Sequence, residues 1–245
     1  MAHLRIIAFR HGQTDANKQG IIQGTKFNFG LNDEGRKQAE ELARQLITEC
    51  KGTAKIRIIT SPLKRALETA TSIYSILLAA SYDIDEPLLE SGLSERSFGH
   101  WEGTEKKLFK QQVEETTNTY NQITERDRRY HFQISPQIET DAEVVQRIHQ
   151  TLLIYSTQEY SQDTILLVSS HGNILRTLKE YIDGTFDLAP LENGTWIEIT
   201  SDQLQQLELP PQKLTGPLHT LLLTDTVRLT SMPWQRSKGG TIPTD

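Results

Sequence analysis

The 245-residue chain has a single cysteine, Cys50, so no intramolecular disulfide can form within it. Long apolar runs are missing too. The longest outside the N-terminal one, Ile76-Leu77-Leu78-Ala79-Ala80, falls far below the roughly 20 residues of a membrane span. A positive surplus is also lacking: the formal net charge is −6, which gives no overall field to gather nucleic acid or an anionic membrane surface. No internal repeat is visible. The apolar run at 4–9 is too short for a signal peptide and sits where a first strand belongs. These absences describe a chain expected in the cytoplasm, with neither nucleic acid nor membrane as partner. An anionic substrate would have to be held by a local cluster of cations, against the average charge.

What is present suffices for one core. Hydrophobic residues make up 36% and charged residues 24%, too mixed a composition for a disordered chain. Residues 4–9, 56–59 and 164–168 read as short buried strands. A helix from Asp33 or Glu34 carries Ala39, Leu42, Ala43 and Leu46 on one face. Ser61-Pro62 reads as an N-cap with proline at the first helical position, opening a helix with Leu63, Ala66, Leu67, Ala70, Ile73 and Leu77 along one side. Later helices carry Val145, Ile148, Leu152 and Tyr155 and, from His171, Ile174, Leu175 and Leu178; a strand at 196–199 follows the turn Asn193-Gly194.

This alternation predicts an α/β fold: a three-layer α/β/α sandwich on a mostly parallel sheet, with helices on both faces. Residues 1–209 are expected to form the one domain, with a polar, helical lid inserted at about 104–140. Residues 210–245 read as a C-terminal extension with an edge strand at 221–223 and an unstructured tail.

Two motifs carry chemistry. Arg10-His11-Gly12 follows the first strand, and Ser170-His171-Gly172-Asn173 follows the strand at 164–168. In open α/β sheets ligands bind beyond the carboxyl ends of the strands, so both histidines face one crevice if those strands are neighbours. A lone His beside Gly is usually a turn residue, and two histidines can also be half of a metal site. However, Arg10 and Arg176 stand close by in sequence, and cationic neighbours suit a phosphate better than a divalent cation. The metal reading ranks second. Arg65, in the first turn of the helix opened by Ser61-Pro62, would add charge at a helix N-terminus; taken alone it reads as a solvated arginine. Glu95 lies in a loop ending at Trp101-Glu102-Gly103, where a salt-bridged surface glutamate is the default.

Five ordered blocks decide among these readings. Arg10-His11-Gly12-Gln13-Thr14-Asp15-Ala16-Asn17 resembles the signature of the histidine phosphatase superfamily, which includes cofactor-dependent phosphoglycerate mutases. Gln23-Gly24 with 31–39, Ser61-Pro62 through Ala70, Leu93-Ser94-Glu95-Arg96 through Gly103, and Ser170 through Arg176 are similar to its later blocks, so the match spans 4 to about 200. Gln13 replaces a common Glu, and 132–140 keep only Glu139-Thr140 of a Gly-Gly-Glu-Ser element.

The resemblance implies that His11 is a nucleophile that becomes phosphohistidine and that Glu95 is the proton donor and acceptor. It implies that Arg10, Arg65 and His171 contact the phosphoryl oxygens, with Asn17, Gln23, Gly24 and Gly172 adding hydrogen bonds. It requires no metal and no cofactor. The expected activity is a phosphatase on a small phosphorylated metabolite, such as a sugar phosphate or phosphoglycerate. The runner-up is a phosphoglycerate mutase, whose substrate-gripping basic pair Arg128-Arg129 weakly resembles. A non-catalytic phosphoprotein-binding relative comes third. Oligomeric state is left open, a homodimer included.

Overall fold

The computed structural model describes residues 2–50, 54–186, 189 and 191–210. The strand and tail expected within 210–245 lie outside the described residues, Pro210 apart. In chain order the elements are β1 (Leu4–Arg10), α1 (Asp15–Lys18), α2 (Asp33–Glu49), β2 (Lys55–Thr60), α3 (Lys64–Ala79) and β3 (Leu88–Leu89). Next come α4 (Lys106–Gln112), α5 (Glu114–Gln122), α6 (Arg126–Tyr130), α7 (Asp141–Ser156), β4 (Thr164–Ser170), α8 (Gly172–Asp183), β5 (Trp196–Ile199) and α9 (Ser201–Gln205). The strands form one mixed sheet in the order β3-β2-β4-β1-β5, with only β5 antiparallel to its neighbour.

Alternation of side chains divides the core along the sheet into two faces. Ile7, Phe9, Ile56, Ile58, Ile165 and Leu167 pack with α2 and α3 on one face. Ile6, Ala8, Leu166 and Val168 pack with α7, α8 and α9 on the other. β4 lies between β2 and β1 and buries all seven of its residues, as its unbroken apolar run requires. β1 pairs with it in parallel from Leu4 opposite Thr164 to Arg10 opposite Ser170. The next residue on each strand is a histidine. The equal register therefore delivers His11 and His171 side by side, 5.1 Å between ring centroids.

One boundary differs from the sequence expectation. α3 begins at Lys64, with Leu63 as an N-cap lacking a side-chain bond, instead of opening at Ser61-Pro62. The Ser61 hydroxyl is engaged otherwise: it accepts from Leu63 N–H at 3.2 Å and lies 2.8 Å from His171 Nε2, which holds 61–63 extended. Asn28 Oδ1 accepts from Lys64 N–H at 2.6 Å, so the helix start is capped from a distant loop. The polar insertion does form three short helices. α4 buries no residue, α5 only Tyr120, and α6 only Arg129 and Tyr130. Among the described residues no helix is long and apolar enough to cross a membrane.

Candidate active site at the strand ends

The backbone after β1 must turn sharply beneath α2, and glycine makes this feasible. A Cβ on Gly12 would lie 2.3 Å from the Gly35 carbonyl oxygen, so no other residue fits without moving α2. Thr69 Oγ1 accepts from Gly12 N–H at 3.1 Å, and Asn193 Nδ2 donates to the His11 carbonyl at 2.8 Å. The ring of His11 is fixed at both nitrogens. Nδ1 lies 2.6 Å from the Gly12 carbonyl, and Arg65 Nε donates to Nε2 at 3.2 Å. An arginine N–H can only donate, so Nε2 carries the lone pair and Nδ1 the proton.

Burial, then the charges of Arg65 and Arg10, push the His11 pKa well below its usual value of 6.5. The imidazole is neutral at physiological pH and presents a nucleophilic Nε2. The pKa of His171 is depressed by burial and by the same arginines, with His11 and Arg147 adding to the effect. Burial lowers Arg65 to about 10, which leaves it cationic at pH 7.

Several polar atoms here are buried with no protein partner, namely Arg10 Nε, Gln23 Oε1 and His171 Nδ1. A buried donor without a partner costs about 1–3 kcal/mol, so such a cluster is the mark of a polar ligand site. Arg10 Nη1 is held by the Leu191 carbonyl at 2.5 Å, and Arg65 Nη2 by that of Gly24 at 2.9 Å. Asn17 spends Oδ1 on Thr14 in the capping box of α1, which leaves its Nδ2 as the donor for a ligand. α8 opens at Gly172 with no side-chain cap, so its first N–H groups also suit an anion.

Glu95 is buried at 9% exposure on the loop after a 3₁₀ turn at Ser91–Leu93. It is not the salt-bridged surface glutamate of the default reading. Arg147 gathers this loop by donating to the carbonyls of Gly92, Ser94 and Glu95 at 2.7, 2.7 and 3.2 Å. Arg147 is itself paired with Glu139 at 2.6 Å, and Glu139 also accepts from Ser97 N–H at 3.1 Å. Glu139, retained from the Gly-Gly-Glu-Ser element, thus shapes the Glu95 loop.

Arg10, His11, Asn17, Gln23, Gly24, Arg65, Glu95 and Gly172 line one cavity of about 350 Å³. His171 is fully buried behind this wall, beside His11. A model of the histidine phosphatase superfamily (branch 1) matches residues 6–213. The chain belongs to that superfamily. An uncharacterized phosphatase, PhoE of Bacillus subtilis, is 31% identical over 175 residues, 71% of this chain and 75% of the relative. Phosphoglycerate mutase 1 of Saccharomyces cerevisiae is 26% identical over 227 residues, covering 83% and 89%. The fold is similar to a mycobacterial glucosyl-3-phosphoglycerate phosphatase complexed with VO3, with a TM-score of 0.60, 22% identity and coverage of 80% and 92%.

In this superfamily member the cavity has further walls, of which sequence reasoning singled out only Arg176. Phe98, Phe109, Ile21, Ile22 and Leu191 make it partly apolar, and Lys106, Lys110 and Arg176 add positive charge. Lys106 and Lys110 are one helical turn apart on α4, a spacing that marks a shared face. Five cations against the carboxylate of Glu95 resolve how a chain of net charge −6 can hold an anion. The pair Arg128-Arg129 is not part of this wall. Arg129 is buried between Asp141 and Glu180, each 3.6 Å away, and its guanidinium lies 4.1 Å over the Tyr120 ring. Arg128 is exposed. Among the described residues no group of three His, Cys, Asp or Glu side chains converges as metal ligands would.

Proposed function

We propose that this protein is a phosphatase that hydrolyses a small phosphomonoester, such as a sugar phosphate or phosphoglycerate, through a phosphohistidine on His11. The observation that carries the reading is the neutral His11 imidazole with its Nε2 lone pair against Arg65, in a cavity that also contains Glu95. In the first step Nε2 attacks phosphorus, the bond to the ester oxygen breaks, and Glu95 gives that oxygen its proton. In the second step water attacks the phosphohistidine, Glu95 takes the water proton, and the P–N bond breaks to return neutral His11 and phosphate. Arg10 and Arg65 bear the charge of the transferring group, His171 supports it from behind, and positioning supplies most of the acceleration. No metal or cofactor is needed for either step.

The mutase reading ranks second. A mutase must grip the substrate so that it is rephosphorylated before water intervenes. Arg129, read in the sequence as part of such a grip, has Asp141 and Glu180 as partners instead.

Rapid quenching with labelled substrate tests the proposal. Acid-labile label on His11, turnover that survives exhaustive chelation, and no requirement for bisphosphoglycerate are expected. Label on another residue rejects the mechanism. Activity that vanishes with EDTA and returns with zinc revives the two-histidine metal site.

A further inference from the structure

Glu102 has no role in the two steps above, yet it stands between the two loops that build the site. It is buried, at 6% exposure, and both oxygens are fully engaged. Oε2 accepts from the backbone N–H of Thr25 at 3.0 Å and of Lys26 at 2.7 Å. Oε1 accepts from Phe98 N–H at 2.9 Å and from the Ser97 hydroxyl at 3.3 Å. Thr25 and Lys26 continue the loop of Gly24, whose carbonyl holds Arg65 against His11. Ser97 and Phe98 continue the loop of Glu95. The closure is tight: Gly24 has φ +53°, and a Cβ there would lie 2.2 Å from the Glu102 carboxyl carbon. The negative charge of Glu102 also favours the cationic form of Arg65, opposing its burial.

We propose that Glu102 is a positioning residue that fixes the Glu95 loop to the Arg65 loop, and so sets the proton donor at its working distance from the nucleophile. The inference rests on the reading of His11 as nucleophile and Glu95 as acid. With hydrogen-bond donors on both oxygens Glu102 is an acceptor, not a second proton donor. Each oxygen faces at least one backbone N–H, so a glutamine in either orientation sets its NH₂ against a donor. Aspartate keeps the charge but is one methylene too short to reach both loops.

The test compares Glu102→Gln and Glu102→Asp with wild type on one alkyl phosphate and on p-nitrophenyl phosphate. Both folded variants should lose roughly ten- to a hundredfold in kcat/KM on the alkyl ester, the scale of an ångström-size misplacement. On the aryl ester, whose leaving group departs without a proton, the loss should stay within about threefold. Adding Glu102→Gln to Glu95→Gln should cost little more than Glu95→Gln alone, because the position of a missing acid no longer matters. Equal losses on the two esters, or full additivity in the double variant, overturn the proposal. If the Glu102 variants do not fold, Ser97→Ala removes one donor only. A few-fold loss confined to the alkyl ester then supports the proposal, and no ester selectivity overturns it. Failure to trap phosphate on His11 of the wild type would instead sink the underlying mechanism, so the two failures are distinguishable.

Discussion

β4, whose end leads into the cavity at Gly172, buries all seven of its residues, whereas α4, which lines the cavity, buries none. The strand-end cradle is held by backbone pairing on both sides, by the Gly12–Gly35 approach and by side chains whose partners are all internal. The lid helices bury Tyr120, Arg129 and Tyr130, and Phe109 and Val113 pack against a small apolar cluster of Ile22, Trp101 and Ile138. A buried charge cluster also ties them to α7. Asp141 accepts from Arg96 at 2.6 Å and from the Tyr120 hydroxyl at 2.9 Å, with Arg129 Nε at 3.6 Å. Local opening is cheapest where few residues are fully buried, so the lid helices are expected to open before the sheet does. On the proposed mechanism the chemistry belongs to the cradle, and the lid borders the substrate.

The largest effect should come from the cradle and leave the lid untouched. His11→Ala is expected to reduce turnover by roughly 10³-fold or more, because no other nucleophile replaces it. Thermal stability should change by no more than about 1–2 kcal/mol, since a neutral side chain is lost and the strand pairing is kept. Kinetics on any active substrate, set beside a denaturant melt, check both halves. A collapse of the fold would mean that the cradle is not the rigid part.

The reverse pattern is expected at the lid fastening. Asp141→Asn leaves Arg96 and part of the Arg129 charge buried without their counter-charge, and breaking such a pair costs about 3–5 kcal/mol. Equilibrium unfolding measures this directly, and the lid should also become the first segment cut by a protease. A stability loss below about 1 kcal/mol would show that the lid has another anchor.

Glu95→Gln lies on the acid loop, between the two regions. A loss of roughly 100-fold is expected on an alkyl phosphate and much less on p-nitrophenyl phosphate when kcat/KM is compared. Phosphohistidine should accumulate with the aryl ester, because the second step loses its base. Mild and equal losses would move the acid role to another carboxylate.

The same contrast governs what the sequence made legible. Buried parallel strands read as continuous apolar runs, so β1, β2 and β4 are visible, and the histidine at each strand end follows from their register. β3, with two residues, and α1, with four, are too short for a period to show. Eight of the nine site residues implied by the resemblance line the cavity, and the ninth, His171, is buried behind it. Sequence spacing reveals a cation but not its partner. Arg129 therefore reads as a substrate contact, although Asp141 and Glu180, from two other helices, enclose it. Glu102 and Arg147 are hidden for a related reason: they act on backbone N–H and carbonyl groups of distant loops, which no residue type announces.

The smallest effect expected is a pH dependence that originates in the cradle. Burial and the charges of Arg65, His11, Arg147 and Arg10 keep His171 neutral in the folded state, far below the 6.5 at which an exposed histidine takes up a proton. Above about pH 7.5 the residue is neutral in both states and contributes no pH dependence. As pH falls through 6.5 the unfolded chain binds a proton that the folded chain refuses. Stability must then decrease, because it rises with pH wherever the unfolded state binds more protons. The slope is at most about 1.4 kcal/mol per pH unit for each such histidine, and His11 contributes a second. His171→Asn removes one of the two, so urea melts at pH 7.0, 6.0 and 5.5 should fall less steeply for the variant than for wild type. The absolute stability at pH 7 also shifts through loss of the Ser61 contact, so the slope, not the intercept, is the quantity to compare. Parallel slopes would mean that His171 is already protonated in the folded protein. Its unpartnered Nδ1 and the arginines around it would then have to be neutralised by some other group, and the cationic reading of the cradle would fail.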